Sequence, residues 1–346
     1  MKHLLFLILL AASGSLSATA QPATQTAGAG FLWCISGNGL KSDSYIVGAN
    51  HLMPVSLLDK TKGFADVWRK VSQVVAECDL LALADSLALG HIDWAANYFY
   101  TPEVAIPKIT TGKKYSDLYT SGQLKDIERV LGPSLDPSLS ADDMPPMKLW
   151  NQFHTCKGSS YGFGKNLTME SIKKKTMEAM DLALAVRSRT DGKHYFGFEK
   201  KEEINIVSPK CDSLLYTSFT IEEQAEIVYR RVKYQTAHPN RVSYGSLMDK
   251  YYKERNFFSM EKAYANRQEY IDSLGLSDSL ARKLRECDRE TGRMIVENRT
   301  RNWMGKILSE IQSAPTLIDV GCLHLMGKEG LINLLRQRGY TVEPVM

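Results

Sequence analysis

The chain has 346 residues, with 43 Lys and Arg against 39 Asp and Glu and a formal net charge of +4 at pH 7. That near-balance, with 44% hydrophobic residues, excludes a disordered polyelectrolyte and leaves ample apolar material for a sizeable core. No basic-aromatic array argues for nucleic acid as a partner, and no apolar run beyond the amino terminus reaches membrane length.

The opening MKHLLFLILLAASGSLSATA sets Lys2 before an apolar run from Leu4 to Ala12 and ends in small residues with Ala18-Thr19-Ala20. This reads as a cleavable signal peptide over residues 1–20, because the run is too short to span a bilayer. Residues 21–30, QPATQTAGAG, read as a flexible mature terminus, and 31–346 as a single domain. The expected location is periplasmic or secreted, with no stable membrane insertion after cleavage. Sequence fixes no oligomeric state. The six cysteines include no Cys-x-x-Cys pair, and Cys156 and Cys211 lie in polar segments where they could be bridged.

Phe31–Ile35 and Tyr45–Val47 read as paired strands around the polar turn SGNGLKSDS. An amphipathic helix over 64–72 leads to a strand, Val74–Ala76, that ends at Glu77, and 80–89 reads as helix. Residues 98–165 are rich in Pro, Gly, Asp and Ser and read as a lid or irregular insertion. Thr168–Arg189 reads as one helix, Tyr195–Phe198 as a strand ending at Glu199, and Thr220 as the cap of a helix running to Val232. Further helices are expected over 242–253, 257–271 and 277–308, the last broken or bent near Glu290–Gly292. Thr316–Val320 is the next strand, followed by a helix over Glu329–Gln337 and an edge strand over Tyr340–Pro344. The succession is α/β: a central sheet with helices on both faces, two related halves each carrying a strand-GxxH turn, and a large helical middle.

The motif SYIVGANHLM, with Gly48 and His51, returns near the other end as TLIDVGCLHLM, with Gly321 and His324. Each is an apolar strand that breaks into Gly-x-x-His. A small residue at such a turn tolerates unusual backbone angles or close approach, so the histidine can enter the region where α/β proteins bind ligands. Both histidines could equally be ordinary core or surface groups. Glu77 and Glu199 also stand at strand ends, and carboxylate with imidazole is a donor set for divalent metals or proton transfer. The bland alternatives are a helix cap for Glu77 and an acidic first turn for Glu199 and Glu203. In ENRTRNW, one of Arg299 and Arg301 can enter a buried site while the other meets solvent, since they cannot share a helix face.

Several stretches resemble the TraB/GumN family, which includes the Tiki proteins. They are FLWCISGNGLKSDSYIVGANHLMP, VVAECDL with Glu77, YFGFEKKEEI, IVENRTRNWMGKI, and LIDVGCLHLMGKEGLINLLRQRGYTVEPV. The chain departs from the family pattern at Ala49 and Asn50, at Lys200 and Ile204, and at Thr300 beside Arg299. The resemblance implies a fold related to erythromycin esterases and to a haem-binding lipoprotein, and a metal-dependent peptidase using Mn or Co rather than Zn. It implies His51, His324, Glu77 and Glu199 as metal ligands, Glu77, Glu199 and Arg299 as catalytic groups, and Gly48, Asn50, Glu203 and Gly321 in support. The expected substrate is an extended peptide or small hydrolysable molecule. An esterase or lactonase, and a non-catalytic protein binding metal, haem or a small ligand, are the competing readings.

Overall fold

In a computed structural model, the structure describes residues 30–51, 53–91, 109–132, 136–151 and 169–345. The leader 1–20 and segment 21–29 lie outside these residues, as do parts of the 98–165 span.

Six strands form one mixed sheet: β1 (Leu32–Ser36), β2 (Ser44–Ala49), β3 (Gln73–Cys78), β4 (His194–Glu199), β5 (Thr316–Gly321) and β6 (Thr341–Pro344), in the order β4-β3-β5-β2-β1-β6. β4, β3, β5 and β2 run parallel, while β1 pairs antiparallel with both β2 and β6. Every residue of β2 and β5 is buried. That explains their near-continuous apolar sequence, because strands covered on both faces lose the polar alternation of a half-exposed sheet. β6, with Thr341 and Glu343 exposed, forms an edge, as its mixed sequence implies.

The parallel register decides where chemistry can occur. Val47 lies opposite Asp319, Gly48 opposite Val320 and Ala49 opposite Gly321, so the two Gly-x-x-His turns leave neighbouring strands at the same sheet edge, offset by one residue. β3 and β4 end there too, with Cys78 opposite Glu199. Four strand termini therefore deliver His51, Glu77, Glu199 and His324 to the carboxyl end of the sheet, where open α/β sheets place ligands.

The glycines of the two motifs serve close approach rather than left-handed backbone. A Cβ on Gly48 would lie 2.9 Å from Leu325 Cδ2 and 3.2 Å from Cys322 Cα, both in the second turn. A Cβ on Gly321 would lie 2.8 Å from His51 Nε2, in the first. Each glycine thus makes room for the other motif.

One further expectation is corrected. Thr168–Arg189 is not one helix: Met169–Glu178 and Met180–Thr190 are separated at Ala179, whose backbone (φ −57°, ψ 135°) leaves the helical region and bridges Pro54. Val55 N–H donates to Glu178 O at 3.0 Å and Met180 N–H to Met53 O at 2.9 Å, so the break docks the His51 turn onto the start of a new helix. The α-helical run of the late helix ends at Gly292, beside the irregularity expected there. Asp278–Gly292 continues through a π turn, Arg293–Glu297, into Asn298–Ser313, with helical backbone at the junctions. A π turn shifts the phase of everything after it, here the face carrying Arg299, Thr300 and Trp303.

The core has two main parts. One surrounds the sheet and includes Trp33, Ile46, Val75, Leu317, Ile318 and Trp303. The other joins Tyr115, Ile127, Met147 and Trp150 to Ile227, Val228 and Leu284. Thus the described pieces of 109–151 form part of a packed helical layer. Cys211 is buried, and Cys156, its expected partner in a bridge, lies outside the described residues.

Gly197 of β4 offers a test of this packing. A Cβ there would lie 2.4 Å from Asp79 N and 2.5 Å from Cys78 Cα, all of it backbone that cannot rotate aside. Gly197→Ala should lower unfolding free energy by about 1–3 kcal/mol in urea titration, as overpacking does. Gly245→Ala, on a helix with nothing within 4 Å of the added carbon, should instead raise it, by up to about 1 kcal/mol from helix propensity.

Candidate functional site

Arg299 occupies the middle of the strand-end cluster. Its Nη2 donates to Glu77 Oε2 and to Glu199 Oε2, each at 2.7 Å, and its Nε reaches Glu199 Oε1 and Oε2 at 3.1 and 3.0 Å. A planar guanidinium suits this fork, since one cation neutralises two carboxylates while fixing the plane of each. The aromatic face of Trp303 lies under it at 5.0 Å. Burial opposes the charge, but the two glutamates outweigh burial and hold Arg299 protonated well beyond its ordinary range.

Glu77 Oε1 accepts the Gly321 N–H at 2.7 Å. Burial would raise its carboxyl, but Arg299, the nearby histidines and this amide together hold it far below the usual carboxylate range. Glu77 is therefore an ionised carboxylate whose charge is met by protein donors, and a weak base.

The two imidazoles are in opposite electrostatic states. His324 is 4% exposed, packs on Trp303 with ring centroids 4.5 Å apart, and has Nδ1 2.7 Å from Thr300 Oγ1. The Thr300 hydroxyl donates its single proton to Val296 O at 2.7 Å, so towards His324 it accepts, and the ring proton resides on Nδ1. Desolvation, with Arg299 and His51 nearby, lowers His324 to about 3 despite Glu77, leaving Nε2 as a lone-pair donor. His51, by contrast, has Nδ1 2.5 Å from Asp181 Oδ2. Desolvation works against its charge, but Asp181 and then Glu77 override it and push His51 up to about 10.

Both Nε2 atoms face one oxygen: Glu77 Oε1 is 3.7 Å from His51 Nε2 and 3.6 Å from His324 Nε2, beyond ordinary hydrogen-bond length. Their outer nitrogens are anchored by Asp181 and Thr300, the arrangement that orients histidine ligands in metal sites. Both Glu199 oxygens are engaged by Arg299. Among the described residues no three or more His, Cys, Asp or Glu side chains form a metal-binding group. The donor set fits a cation held by two imidazoles, with Glu77 beside it.

The remaining expected residues fall outside this centre or support it by backbone. Gly48 and Gly321 give the close packing described above, and the Asn50 carbonyl accepts Met53 N–H at 2.8 Å within the first turn. Glu203 caps its own helix, accepting Lys200 N–H at 2.7 Å, and is exposed. Arg301 faces solvent against Asn298 and Glu329, leaving Arg299 as the buried member of that pair. Sequence reasoning missed Asp181, because the break at Ala179 carries no Gly or Pro, and Asp319, although a lone acid inside the apolar run TLIDVG was a visible signal. Thr300 stood out only as a departure beside Arg299.

An α/β sheet whose parallel strands converge on an Arg-bridged glutamate pair under two inward histidines is the class of molecule this geometry defines. Its sequence carries the same message: the chain belongs to the TraB/PrgY/gumN family, whose model matches residues 31–344. No curated protein and no solved structure matches it.

Arg299→Met removes the shared cation and strands two buried carboxylates. Loss of one partner of such a network should cost about 3–5 kcal/mol at neutral pH in denaturant unfolding. Because Glu77 is depressed in the folded chain, the stability its ionised form supplies is complete above its ordinary value of 4.5 and fades as pH falls toward the much lower folded value. The gap between the parent and Arg299→Met should therefore be widest above that pH and narrow in acid.

Proposed function

We propose that the chain is an exported hydrolase of peptide bonds that works with a divalent metal, Mn or Co, held by His51 and His324, with Glu77 placing the attacking water. The observation that carries this reading is the convergence of two anchored imidazole Nε2 edges on one ionised carboxylate oxygen. The protein's own bases support the need for a metal. Glu77 is held far below neutrality and His324 is lowered to about 3, so neither can take a proton from ordinary water near pH 7. A bound divalent ion supplies the missing chemistry by acidifying water and polarising the scissile carbonyl.

The chain's residues then have distinct tasks. His324 offers Nε2 already deprotonated, its ring fixed by Thr300 and Trp303. Asp181 aims His51 by accepting its Nδ1 proton. Gly321 N–H and Arg299 lock the Glu77 carboxylate so that Oε1 addresses water on the histidine side, and Glu199 balances Arg299. In this reading the leader 1–20 directs export. Among the described residues no helix is long and apolar enough to cross a membrane.

Cleavage of a peptide library with added Mn or Co, abolished by a chelator, tests the reading directly. His51→Ala and His324→Ala should each lower kcat/KM by about 100-fold or more, the scale of losing a group that holds or activates the attacking water, while circular dichroism stays unchanged. Metal uptake with no turnover of peptides or esters would instead favour a binding protein on this scaffold.

Metal binding also carries a pH signature. His51 must lose its Nε2 proton to bind, and that proton is held up to about 10. Apparent affinity should accordingly rise about tenfold per pH unit below that value, since deprotonation limits the ligand. Titration calorimetry with Mn or Co in buffers of different ionisation enthalpy should show about one proton released per metal; a flat profile with no release would exclude His51 as a ligand.

A further inference from the structure

β5 carries an acid at its most enclosed point. Asp319 is 1% exposed, lies opposite Val47 on one side and Ala76 on the other, and among the described residues neither carboxyl oxygen meets a hydrogen-bond donor. The groups around it are Asp181, His51, Glu77, Tyr195 and Tyr252. Both tyrosine protons are committed elsewhere: Tyr195 donates to Cys78 O at 3.2 Å, and Tyr252 to Gly48 O at 2.9 Å. The His51 Nδ1 proton goes to Asp181. The side chain that Asp319 meets is Asp181, which as a carboxylate can only accept.

Two carboxylates in contact without a donor between them are both unsatisfied and mutually repelled. A buried acid in that position keeps its proton rather than its charge, and one proton can then satisfy both groups. The burial of Asp319, followed by the charge of Asp181, moves its carboxyl well above the usual range, in the direction this geometry requires.

We propose that Asp319 is a positioning residue for His51: it stays a neutral acid and donates its O–H to Asp181, which holds Asp181 Oδ2 on His51 Nδ1. The inference rests on the reading of His51 as a functional ligand, but its structural content, the Asp319–Asp181–His51 chain, is testable without turnover. Asp319 touches neither water nor substrate at the reacting point and acts only through Asp181.

The decisive measurements use the full chain. A wild-type minus Asp319→Asn infrared difference spectrum at neutral pH should contain the C=O stretch of a protonated acid; carboxylate bands alone would overturn the proposal. In histidine-labelled protein, with the His51 signal assigned by its loss in His51→Gln, the Nδ1 proton should persist in Asp319→Asn, whose amide N–H replaces the acid O–H. In Asp319→Leu, which fills the same space without a donor, that proton should exchange away. Turnover should follow the same order: Asp319→Asn within about threefold of the parent and Asp319→Leu reduced about 10- to 100-fold, the range for groups that orient a ligand. An unchanged His51 signal in folded Asp319→Leu, or Asp319→Asn behaving like Asp319→Leu, would overturn it. If Asp319→Leu fails to fold, the infrared spectrum and the Asp319→Asn signal still decide. Should no variant or parent protein cleave any peptide while both spectra behave as expected, the catalytic reading fails and the positioning role stands.

Discussion

One cation holds the functional end of this molecule together. β3 and β4 run side by side and finish with glutamates one residue out of register, an arrangement that would drive two largely buried negative charges against each other. Arg299 resolves it by lying between them, and it reaches that place because the helix carrying it passes through a π turn just before. The guanidinium sets the orientation of Glu77, and Glu77 in turn receives the Gly321 amide and confronts both histidines. Displacing Arg299 would unbalance charge, hydrogen bonding and strand-end geometry at once.

The site separates two histidines that look alike in sequence. Their motifs share Gly-x-x-His-Leu-Met, yet one ring is paired with a carboxylate and the other with a hydroxyl already spent on a carbonyl. An acceptor of full charge retains a proton on His51, whereas a neutral acceptor within an apolar wall of Trp303 sheds it from His324. The asymmetry therefore comes from the Met180–Thr190 and Asn298–Ser313 helices, not from the turns themselves. It gives the centre one electron-pair donor ready for use and one reserve donor released at higher pH or by competition with a metal.

Much of this was readable from residue order. Apolar β-branched runs located β2, β3 and β5, and the polar residues that terminate them are the ones the sheet brings together, because parallel strands end side by side. The convergence of His51, Glu77, Glu199, Arg299 and His324 followed from those positions and the family resemblance. What escaped was non-local. Ala179 leaves the helix because its backbone is captured by Pro54, a residue far away in sequence, and helix propensity alone gives no sign of that capture. Glu203 looked like a site acid but serves its own helix, the local option that an acidic first turn always offers. The π turn was felt as an irregularity near Gly292, but its consequence for the facing of Arg299 depends on tertiary contact.

The pairing of β2 with β5 joins segments separated by nearly the whole chain. Contacts so distant in sequence form slowly, since the loop between them must close before they stabilise anything. The strand-end cluster can therefore exist only once β5 has joined the sheet: a chain released only in part holds His51 and Glu77 without the Gly321 amide or His324. The topology acts as an assembly lock, withholding the cluster until β5 has arrived.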